Sequence, residues 1–489
     1  MPRPALLLIA TLPLLSQTPA YQELYRPQFH FSPAHNWTND PNGLVYFEGE
    51  YHLFFQFNPF GDRWGHMSWG HAVSRDLVHW RELPVALPEA NGIMIFTGST
   101  VVDQHNSSGF CAGGKPCLVA IYTGHTPETA SRPALQTQNL AYSNDRGRTW
   151  TKYAQNPVLD LHMSDFRDPK VLWSERAQRW VMAVSLPNDH RVRFYGSSDL
   201  KHWQALSDFG PDGASSGQWE CPEFFELPVE GQPGQTRWVL KVGLNPGALQ
   251  GGSGEQYFVG QFDGTRFTND NPSTLTLWTD YGKDCYCALT FNNLPRIQSL
   301  VMIGWMNNWQ YAGDVPTKPW RGQMTVPRKL ALRSTPEGLR LVQNPIDALE
   351  QLRHPWQPKS DTFEFQSTVN LGNAKEVGWR LMAADGTFTL IGFDREKQQL
   401  FVDRTHSGNT GFSKNFPART TAPLHPDGDR LRFHVLVDRS SIEVFAQDGQ
   451  VAMTNLVFPP PGPHRIEFHS QGGQAGAVKT DFWTLGTIW

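Results

Sequence analysis

The chain has 489 residues, with 42 basic and 46 acidic side chains that give a formal net charge of −4. This near-neutral balance argues against a nucleic-acid-binding or membrane-binding protein, since both need a clustered basic excess. The 43 glycines and 37 prolines are too few for a disordered or collagen-like chain, and the length exceeds what one hydrophobic core usually organises, so we expect two domains.

The first twenty residues have the features of a secretory signal peptide. Arg3 supplies a positive charge, residues 5–15 form an apolar run, and a short segment ending at Ala20 precedes a switch to polar composition. The apolar run is shorter than the ~20 residues that span a bilayer as a helix. We therefore predict a signal peptide over residues 1–20, a secreted or periplasmic mature protein, and no membrane or nucleic-acid partner.

Short alternating or aromatic-rich runs, separated by turn signals such as Asn-Gly and Asp-Gly, recur along the rest of the chain. This periodicity is typical of β-strands, whereas helical periodicity is scarce. The clearest case is a predicted hairpin, in which residues 44–47 and 51–55 flank a Glu-Gly-Glu turn. The sequence therefore predicts an all-β protein.

A local pattern of Ser, Asp and Trp returns at residues 74–80, 143–150 and 197–203, and a degenerate copy covers 262–267. The copies are about 50 to 70 residues apart, a period that suits one four-stranded sheet. Such a repeat suggests propeller blades, each with an Asp turn and an aromatic residue near its outer edge. Division of the segment 21–344 by this period predicts a five-bladed β-propeller.

Helical periodicity occurs briefly within residues 345–355, where Ile346, Leu349 and Leu352 are apolar. We interpret this segment as a linker. Alternating strands return after it; for example, residues 431–437 and 442–445 flank a short Asp-Arg-Ser-Ser turn. The segment 356–489 is therefore predicted to form a C-terminal β-sandwich.

The five cysteines are too few for a disulfide scaffold and lack the paired C-x2-C spacing of a zinc site. Cys111 and Cys117 are close enough to close one small loop, so they are our disulfide candidate. Cys285 and Cys287 lie at i, i+2 and would share one face of a strand. The histidines show no metal-ligand spacing either, so we expect no metal ion and no cofactor.

Three acidic residues lie in segments that turn or stiffen the backbone. Asp40 precedes a proline and an Asn-Gly turn, Asp168 precedes a proline, and Glu220 lies in an aromatic-rich run. A single Asp before Pro is more often a turn residue. Three carboxyl groups on successive predicted blades change this interpretation, because the inner strands of a propeller converge on one pocket. Carboxyl groups that flank a bond between sugars are characteristic of glycoside hydrolysis.

In this order and spacing, the three segments resemble the signature blocks of glycoside hydrolase family 32, the β-fructofuranosidases, which include invertases, inulinases and levanases. The blocks are Asn39-Asp40-Pro41-Asn42-Gly43, Arg167-Asp168-Pro169 and Glu220-Cys221. The resemblance covers nearly the whole mature chain. It continues through residues 96–99, 281–284, 304–310 and 438–445.

Two positions depart from the family's pattern. Thr97 stands where many members carry Ser, although it keeps a hydroxyl group. The segment Cys285-Tyr286-Cys287 stands where an aromatic-rich segment is more usual. We therefore expect the outer wall of the pocket to differ from that of other members.

The resemblance implies roles for individual side chains. Asp40 would be the nucleophile, Glu220 the general acid/base, and Asp168 the group that fixes fructose hydroxyls and stabilises the transition state. Asp284 resembles a secondary acidic residue near the acid/base. The other positions that match the family's sugar pocket are Asn39, Gln56, Trp64, Phe96, Ser99, Arg167 and Trp309.

The residue types suit this chemistry. An Asp has an ordinary pKa of about 3.9, so Asp40 should be ionised at working pH and able to attack the anomeric carbon. Glu220 follows a Trp and would lie near two other carboxyl groups. Burial and like charge would keep a proton on Glu220 for the leaving oxygen.

The function implied is that of a secreted, retaining glycosidase that releases terminal β-D-fructofuranosyl residues from inulin, levan and sucrose. The segment 138–150 resembles exo-inulinases and levanases more than sucrose-restricted invertases. One alternative is an invertase that acts mainly on sucrose. A second is a non-catalytic fructan-binding protein, which the presence of all three carboxyl groups disfavours. A third is a five-bladed glycosidase of arabinose- or xylose-containing polymers, which the Asn-Asp-Pro-Asn-Gly and Glu-Cys blocks disfavour.

Overall fold

The computed structural model describes residues 21–295 and 298–489, so the predicted signal peptide lies outside the described residues. Almost every element in these ranges is a β-strand, and the two helices among them are short 3₁₀ helices at Pro187–Asp189 and Asp347–Leu352. No helix in the described ranges is long and apolar enough to cross a membrane. The all-β prediction is confirmed.

The N-terminal strands of the described chain form five successive sheets. The first contains β1 (Asn36–Phe47), β2 (Glu50–Asn58), β3 (Ser68–Ser74) and β4 (Trp80–Leu87). The second contains β5 (Met94–Asp103), β6 (Cys117–Thr126), β7 (Leu135–Ser143), β8 (Thr151–Lys152) and β9 (Leu159–Met163). The third contains β10 (Arg167–Ser174), β11 (Arg179–Leu186), β12 (Arg191–Ser197) and β13 (Gln204–Phe209).

The fourth sheet contains β14 (Gln218–Pro228), β15 (Thr236–Asn245), β16 (Gly254–Phe262), β17 (Phe267–Asn269) and β18 (Leu277–Trp278). The fifth segment of strands comprises β19 (Tyr286–Thr290), β20 (Val301–Trp305), β21 (Trp320–Arg321), β22 (Arg328–Thr335) and β23 (Gly338–Pro345). Strand β21 leaves this sheet and pairs in parallel with β1.

The first strands of the five sheets contact one another in a closed ring. Strand β1 contacts β5, β5 contacts β10, β10 contacts β14, β14 contacts β19, and β19 returns to β1. Apart from the parallel pairing of β21 with β1, neighbouring strands within each sheet are antiparallel, and most of them follow chain order. The N-terminal domain is therefore propeller-like, with β1, β5, β10, β14 and β19 around a common axis.

The repeated Ser-Asp-Trp pattern marks the turn between the third and fourth strands of a sheet. In the first sheet, Asp76 accepts hydrogen bonds from the backbone N–H groups of Val78 and His79, and the Trp80 indole donates to the carbonyl of Leu77. The copies at residues 143–150 and 197–203 form the same kinds of bond. The repeat follows from local turn chemistry, because a carboxylate satisfies N–H groups that the turn would leave unpaired.

Each of the five first strands has a register irregularity at a comparable position. The irregularities fall between the pairs 38/41, 95/98, 167/170, 220/223 and 286/289. Three residues in or beside them have left-handed backbone conformations, with φ of 67° at Asp168, 45° at Cys221 and 45° at Cys287. A bulge bends the strand and redirects its side chains, so these irregularities turn the ends of the first strands toward the axis.

The predicted linker contains the second 3₁₀ helix, Asp347–Leu352, which agrees with its brief helical periodicity. The strands that follow are β24 (Arg353–Pro355), β25 (Phe363–Asn370), β26 (Glu376–Met382), β27 (Phe388–Asp394), β28 (Gln399–His406), β29 (Arg419–Pro423), β30 (Arg430–Asp438), β31 (Ser441–Ala446), β32 (Val451–Leu456), β33 (Arg465–Gln471) and β34 (Gly476–Leu485). They form a six-stranded sheet in the order β24-β34-β25-β30-β31-β32 and a five-stranded sheet in the order β29-β28-β27-β26-β33.

These two antiparallel sheets share one apolar core. Phe363 and Phe365 from the six-stranded sheet belong to the same buried cluster as Trp379 and Ile391 from the five-stranded sheet. The rings of Phe365 and Trp379 lie 5.5 Å apart across the layers. The predicted C-terminal β-sandwich is confirmed, and the predicted hairpin of residues 431–445 is formed by β30 and β31.

The Asp-Arg-Ser-Ser turn joins the sandwich to the segment ahead of β1. The Asp438 carboxylate accepts hydrogen bonds from the backbone N–H groups of Gln28 and Phe29, and it lies 2.8 Å from Nδ1 of His30. The other ring nitrogen of His30 lies 3.4 Å from Glu443. A fully buried imidazole between two buried carboxylates fixes the N-terminal segment against the sandwich.

Arg328 extends this buried charge cluster to the propeller. Its guanidinium pairs with Asp280 at 2.9 Å and with Glu443 at 3.2 Å, and all three side chains are almost fully buried. The same guanidinium donates to the hydroxyl of Thr454 at 2.5 Å. Breaking one partner of a buried pair leaves an uncompensated charge, so this cluster couples the position of β22 to that of the sandwich.

We expect the stability of the protein to depend on the charge of His30. Burial alone would lower its pKa, but the hydrogen bonds and attraction of Asp438 and Glu443 raise the pKa to about 9. The pKa of His30 is lower in the unfolded chain, at about 6.5. The charged His30 therefore stabilises the folded protein fully below about pH 6.5, and this stabilisation is lost as the pH rises through about 9. A His30→Gln variant should lose roughly 3 kcal/mol of unfolding free energy at pH 6 and less at pH 9.

Denaturant unfolding at pH 6, 7.5 and 9 measures this effect. His202→Gln is the matched control, because that imidazole is mostly exposed and should alter stability little at any pH. An equal loss for His30→Gln at pH 6 and pH 9 would contradict a charged His30.

Candidate active site

The three predicted carboxyl groups lie at the irregularities of three first strands. Asp40 lies within the irregularity of β1, Asp168 within that of β10, and Glu220 immediately before that of β14. Because these strands belong to one ring, the side chains converge on the axis. Cys221, the residue after Glu220, shows this proximity, because its backbone N–H lies 2.8 Å from Oδ2 of Asp168 and its sulfur lies 3.7 Å from Oδ2 of Asp40.

Asp40 is almost fully buried and only partly hydrogen-bonded. Its Oδ2 accepts a hydrogen bond from the hydroxyl of Thr97 at 2.7 Å, and its Oδ1 is buried without a hydrogen-bond partner among the described residues. Burial raises the pKa of Asp40 to about 6, with a further contribution from Glu220, although the Thr97 hydrogen bond opposes the rise. The expectation of an ordinary Asp pKa is wrong for this environment, because β1 withdraws the carboxyl group from water.

Asp168 is held by groups on two neighbouring sheets, one a backbone N–H and the other a side-chain hydroxyl. Its carboxylate accepts a hydrogen bond from the N–H of Cys221 at 2.8 Å, and its own N–H donates to the hydroxyl of Thr123 at 3.0 Å. Burial and the charges of Glu220 and Asp40 raise the pKa of Asp168 to about 7, against the opposing attraction of Arg167. Its position is therefore fixed by contacts within the protein rather than by solvent.

Glu220 is held between a cation and a phenol. Its Oε1 accepts hydrogen bonds from Nε and Nη2 of Arg167 at 3.1 and 3.0 Å, and its Oε2 accepts one from the hydroxyl of Tyr286. Both carboxylate oxygens of Glu220 are therefore held by side chains of neighbouring strands. Glu220 is also less buried than the other two carboxyl groups, as a group that meets a leaving oxygen must be.

Arg167 is a buried hub for the side chains around Glu220. Its guanidinium also donates to Gln136 at 3.2 Å, to Asp165 at 2.8 Å and to Gln218 at 2.6 Å. Burial opposes a charged Arg167, but the attraction of Glu220, Asp168 and Asp165 raises its pKa. Arg167 therefore supplies a permanent positive charge beside three carboxyl groups.

Two amide side chains predicted for the sugar pocket lie beside Asp40. Asn39 is buried, and its Oδ1 accepts a hydrogen bond from the indole of Trp37 at 2.7 Å. Gln56 lies on the adjacent strand β2 and donates to the carbonyl of Ile95 at 3.0 Å. Both amides are held in place by their neighbours before any ligand is bound.

Aromatic side chains surround the open side of the site. Trp64 is 46% exposed and lies edge-on to Phe96, with 6.1 Å between the ring centroids. Phe96 stacks on His125 at 4.5 Å. Trp309 stacks on Trp37 at 5.9 Å, next to the Asn39 amide. Flat apolar surfaces beside hydrogen-bonding groups suit a sugar ring, which has apolar faces and polar edges.

Two predicted pocket residues form hydrogen bonds within the protein. The Ser99 hydroxyl accepts from the N–H of Val171 and donates to the carbonyl of Pro169, so it ties β5 to β10. Asp284 is fully buried, where it contacts Tyr311, Arg404 and the N–H of Leu456. It therefore joins the propeller to the sandwich, and its predicted place in the sugar pocket stays a prediction.

Two features near the carboxyl groups had no assigned role in the sequence. One is the Tyr286 hydroxyl, which donates to Glu220. The other is a disulfide between Cys221 and Cys287, whose Cα atoms lie 5.4 Å apart. In the sequence, the only signals for these two features were the odd cysteine count and the departure from the family's pattern at residues 285–287. The structure also links the candidate pair Cys111 and Cys117, and Cys285 is a buried free thiol.

A possible metal-ligand cluster at the site consists of Asp40, Cys221 and Cys287. Both sulfur atoms belong to the disulfide, so neither offers the thiolate that binds a metal. The cluster is therefore better described as a carboxyl group beside a disulfide.

The site thus contains three carboxyl groups in a pocket with aromatic walls, and one of these groups contacts an arginine and a tyrosine. This arrangement is that of a glycosidase. The sequence comparisons agree. The profile described as "Glycosyl hydrolases family 32 N-terminal domain" matches residues 30–345, and the profile described as "Glycosyl hydrolases family 32 C terminal" matches residues 331–484. The chain belongs to glycoside hydrolase family 32.

Curated relatives match along almost the whole chain. A levanase of Bacillus subtilis (strain 168) is 46% identical over 493 residues, which cover 96% of this chain and 72% of the levanase. An extracellular exo-inulinase of Aspergillus awamori is 42% identical over 518 residues, which cover 96% of each protein.

Solved structures match equally well. The crystal structure of the exo-inulinase from Aspergillus awamori superposes with a TM-score of 0.90 at 40% identity, covering 96% of this chain and all of the other. A β-fructofuranosidase from Schwanniomyces occidentalis, complexed with fructosyl-erythritol, superposes with a TM-score of 0.85 at 34% identity, covering 96% of this chain and 99% of the other.

The hydrogen bond from Thr97 to Asp40 should set the acid limb of the pH–rate profile. Removal of this donor in Thr97→Val destabilises the ionised carboxylate, so we expect the acid limb of kcat/KM to move to higher pH. A hydrogen bond to a charged group contributes about 1.5–3 kcal/mol, which corresponds to roughly 1–2 pH units. The pH dependence of kcat/KM on sucrose or inulin measures the change.

Thr100→Val is the matched control for this prediction. Thr100 lies on the same strand β5, is fully buried, and its hydroxyl has no hydrogen-bond partner among the described residues. The control should leave the acid limb in place. Equal shifts in both variants would mean that the Thr97 hydroxyl does not act on Asp40.

Proposed function

We propose that the protein is an exo-acting, retaining β-fructosidase that releases terminal fructose from inulin, levan and sucrose. The observation that carries the proposal is the set of three converging carboxyl groups at one end of a channel whose opposite side is closed. The names of the relatives support the substrate class, since these proteins include a levanase and exo-inulinases.

In this proposal, Asp40 attacks the anomeric carbon of a terminal fructose and forms a covalent intermediate. Asp40 is suited to this role because its Oδ1 has no hydrogen-bond partner to release and a desolvated carboxylate is a stronger nucleophile. The Thr97 hydroxyl holds the other oxygen at 2.7 Å. The attacking atom is thereby fixed without being blocked.

Glu220 acts as general acid and then as general base. It protonates the oxygen of the departing sugar, and in the second step it removes a proton from the water that releases fructose. Arg167 and Tyr286 hold the two oxygens of Glu220 in place.

Asp168 binds the hydroxyl groups of the fructose ring and stabilises the positive charge that develops in the transition state. The backbone N–H of Cys221 orients its carboxylate at 2.8 Å. Because the residue has a left-handed backbone conformation, its side chain is directed by the bulge and not by the regular pleat of β10.

The base of the pocket supports an exo mode of attack. Below the carboxyl groups, Lys170 and Glu223 form a buried ion pair at 2.6 Å, and Lys170 also donates to Thr290. A cavity of about 10 Å³ is lined by Lys170, Glu223 and Thr290 together with Asp168 and Cys221. Such a cavity holds about one water molecule, so a sugar chain cannot pass through and only a terminus can enter.

We also propose that the enzyme acts outside the cell. The basic start and apolar run of residues 1–20 support export, and the Cys111–Cys117 and Cys221–Cys287 bridges are compatible with an oxidising compartment. The exo-inulinase relative from Aspergillus awamori is itself named extracellular.

Replacement of either principal carboxyl group should abolish most activity. We expect Glu220→Gln to reduce kcat on sucrose by roughly 10²–10⁴-fold, because a general acid/base contributes that much, and Asp40→Asn to reduce it at least as far. Initial rates with purified protein of unchanged unfolding midpoint measure the loss. Glu226→Gln is the matched control on the same strand β14, since Glu226 is exposed and should leave kcat unchanged. Wild-type turnover by Glu220→Gln would overturn the assignment.

The exo mode predicts the products. Inulin and levan should each yield free fructose as the sole early product, and sucrose should yield glucose and fructose, as resolved by chromatography at low conversion. Fructo-oligosaccharides at early times would indicate internal cleavage and contradict the closed pocket. Activity on sucrose alone would favour an invertase, and binding of inulin without turnover would favour a non-catalytic fructan-binding protein.

A further inference from the structure

The Cys221–Cys287 disulfide lies within the active site and has no role in the function proposed above. Cys221 follows Glu220 on β14, and Cys287 follows Tyr286 on β19. Glu220 and Tyr286 are themselves hydrogen-bonded, because the Tyr286 hydroxyl donates to Glu220. The disulfide therefore links the residues that directly follow this hydrogen-bonded pair.

Strands β14 and β19 are the first strands of different sheets. In the described ranges, each pairs through its backbone only with its own sheet, β14 with β15 and β19 with β20. Both half-cystines are buried and have left-handed backbone conformations with φ of 45°. The disulfide therefore fixes the bulge of β14 relative to the bulge of β19, two strands that are not joined by backbone hydrogen bonds in the described ranges.

The disulfide also determines what Asp40 can bind. The Cys221 sulfur lies 3.7 Å from Oδ2 of Asp40, within reach of a hydrogen bond from a thiol. A disulfide sulfur has no proton to donate, so in the oxidised protein Thr97 is the side-chain hydroxyl that donates to this oxygen. Asp40 therefore accepts fewer hydrogen bonds beside the disulfide than it would accept beside a free thiol at Cys221.

We infer that the Cys221–Cys287 disulfide is a positioning element of the active site, which fixes Glu220 against Tyr286 and withholds a thiol hydrogen bond from Asp40. The inference rests on the proposed roles of Asp40 and Glu220. Three titratable groups on the other first strands also act on the ionisation of Asp40. They are Asp168 on β10, Glu220 on β14 and Tyr286 on β19.

Two variants separate the two parts of this inference. Cys287→Ala breaks the link and leaves a thiol at Cys221, whereas the double variant Cys221→Ala/Cys287→Ala breaks the link and leaves no donor. Both should reduce kcat roughly tenfold with little change in KM, because the acid/base is less well held. Only Cys287→Ala should move the acid limb of kcat/KM to lower pH, by about 0.5 pH unit, because a thiol is a weak donor that favours the ionised Asp40.

The Cys111–Cys117 disulfide provides the matched control. It closes a short loop at the start of β6, so Cys111→Ala/Cys117→Ala removes a disulfide elsewhere in the same fold. This variant should lower the unfolding midpoint without changing kcat or the acid limb. A lowered midpoint with unchanged kcat and unchanged acid limb in Cys287→Ala would show a purely structural disulfide and overturn the inference.

If a variant does not fold, peptide mapping of the unreduced native enzyme still tests the Cys221–Cys287 disulfide. A peptide pair joined through Cys221 and Cys287 is expected, and alkylation of both residues as free thiols would overturn the inference. Cys287→Ser provides a second single variant of similar size, with the same expected shift. Retention of activity in Asp40→Ala would instead refute the proposed function, irrespective of the disulfide.

Discussion

Three carboxyl groups withdrawn from water into one pocket repel one another, and the surrounding contacts offset that repulsion. Arg167 pairs with Glu220 and attracts Asp168, a backbone N–H of Cys221 binds Asp168, and the Thr97 hydroxyl binds Asp40. The raised pKa values of Asp40 and Asp168, to about 6 and about 7, show that burial is only partly compensated. The remaining imbalance is chemically useful, because a substrate that brings a developing positive charge relieves it.

The fold makes this crowding possible by bending five first strands at comparable positions. Regular strands would alternate their side chains about the pleat, whereas the bulges turn the ends of β1, β10 and β14 toward the axis. Below them, the Lys170–Glu223 ion pair fills the channel. The sandwich holds the outer parts of the propeller through the buried charges of Arg328 and Asp284. Local bending, a buried ion pair and a fixed second domain together place the three carboxyl groups in one pocket.

Much of this arrangement could be predicted from short-range patterns. The Asp76 turn and its copies were recognisable because a carboxylate and the N–H groups that it binds lie within four residues of each other. The positions of Asp40, Asp168 and Glu220 followed from their resemblance to family blocks. The strand alternation was sufficient for the all-β class and the sandwich.

The parts that escaped prediction depend on distant residues. The role of Ser99 is decided by the backbone of β10, and that of Asp284 by Arg404 in the sandwich. The partner of Cys287 is 66 residues away, and only the bulges bring the two sulfur atoms together. The contact between Glu220 and Tyr286 was not predicted, because the sequence shows the neighbouring Trp but not the approach of Tyr286 from another sheet.

The central claim is that Asp40 forms a covalent bond to fructose while Glu220 controls the protons. A Glu220→Ala variant treated with a fructosyl donor that has a good leaving group should accumulate this intermediate, because the first step no longer needs an acid and the second lacks its base. Peptide mass spectrometry of the acid-quenched protein should place one fructosyl residue on Asp40. An adduct on Asp168, or rapid turnover of this donor with no adduct, would contradict the account.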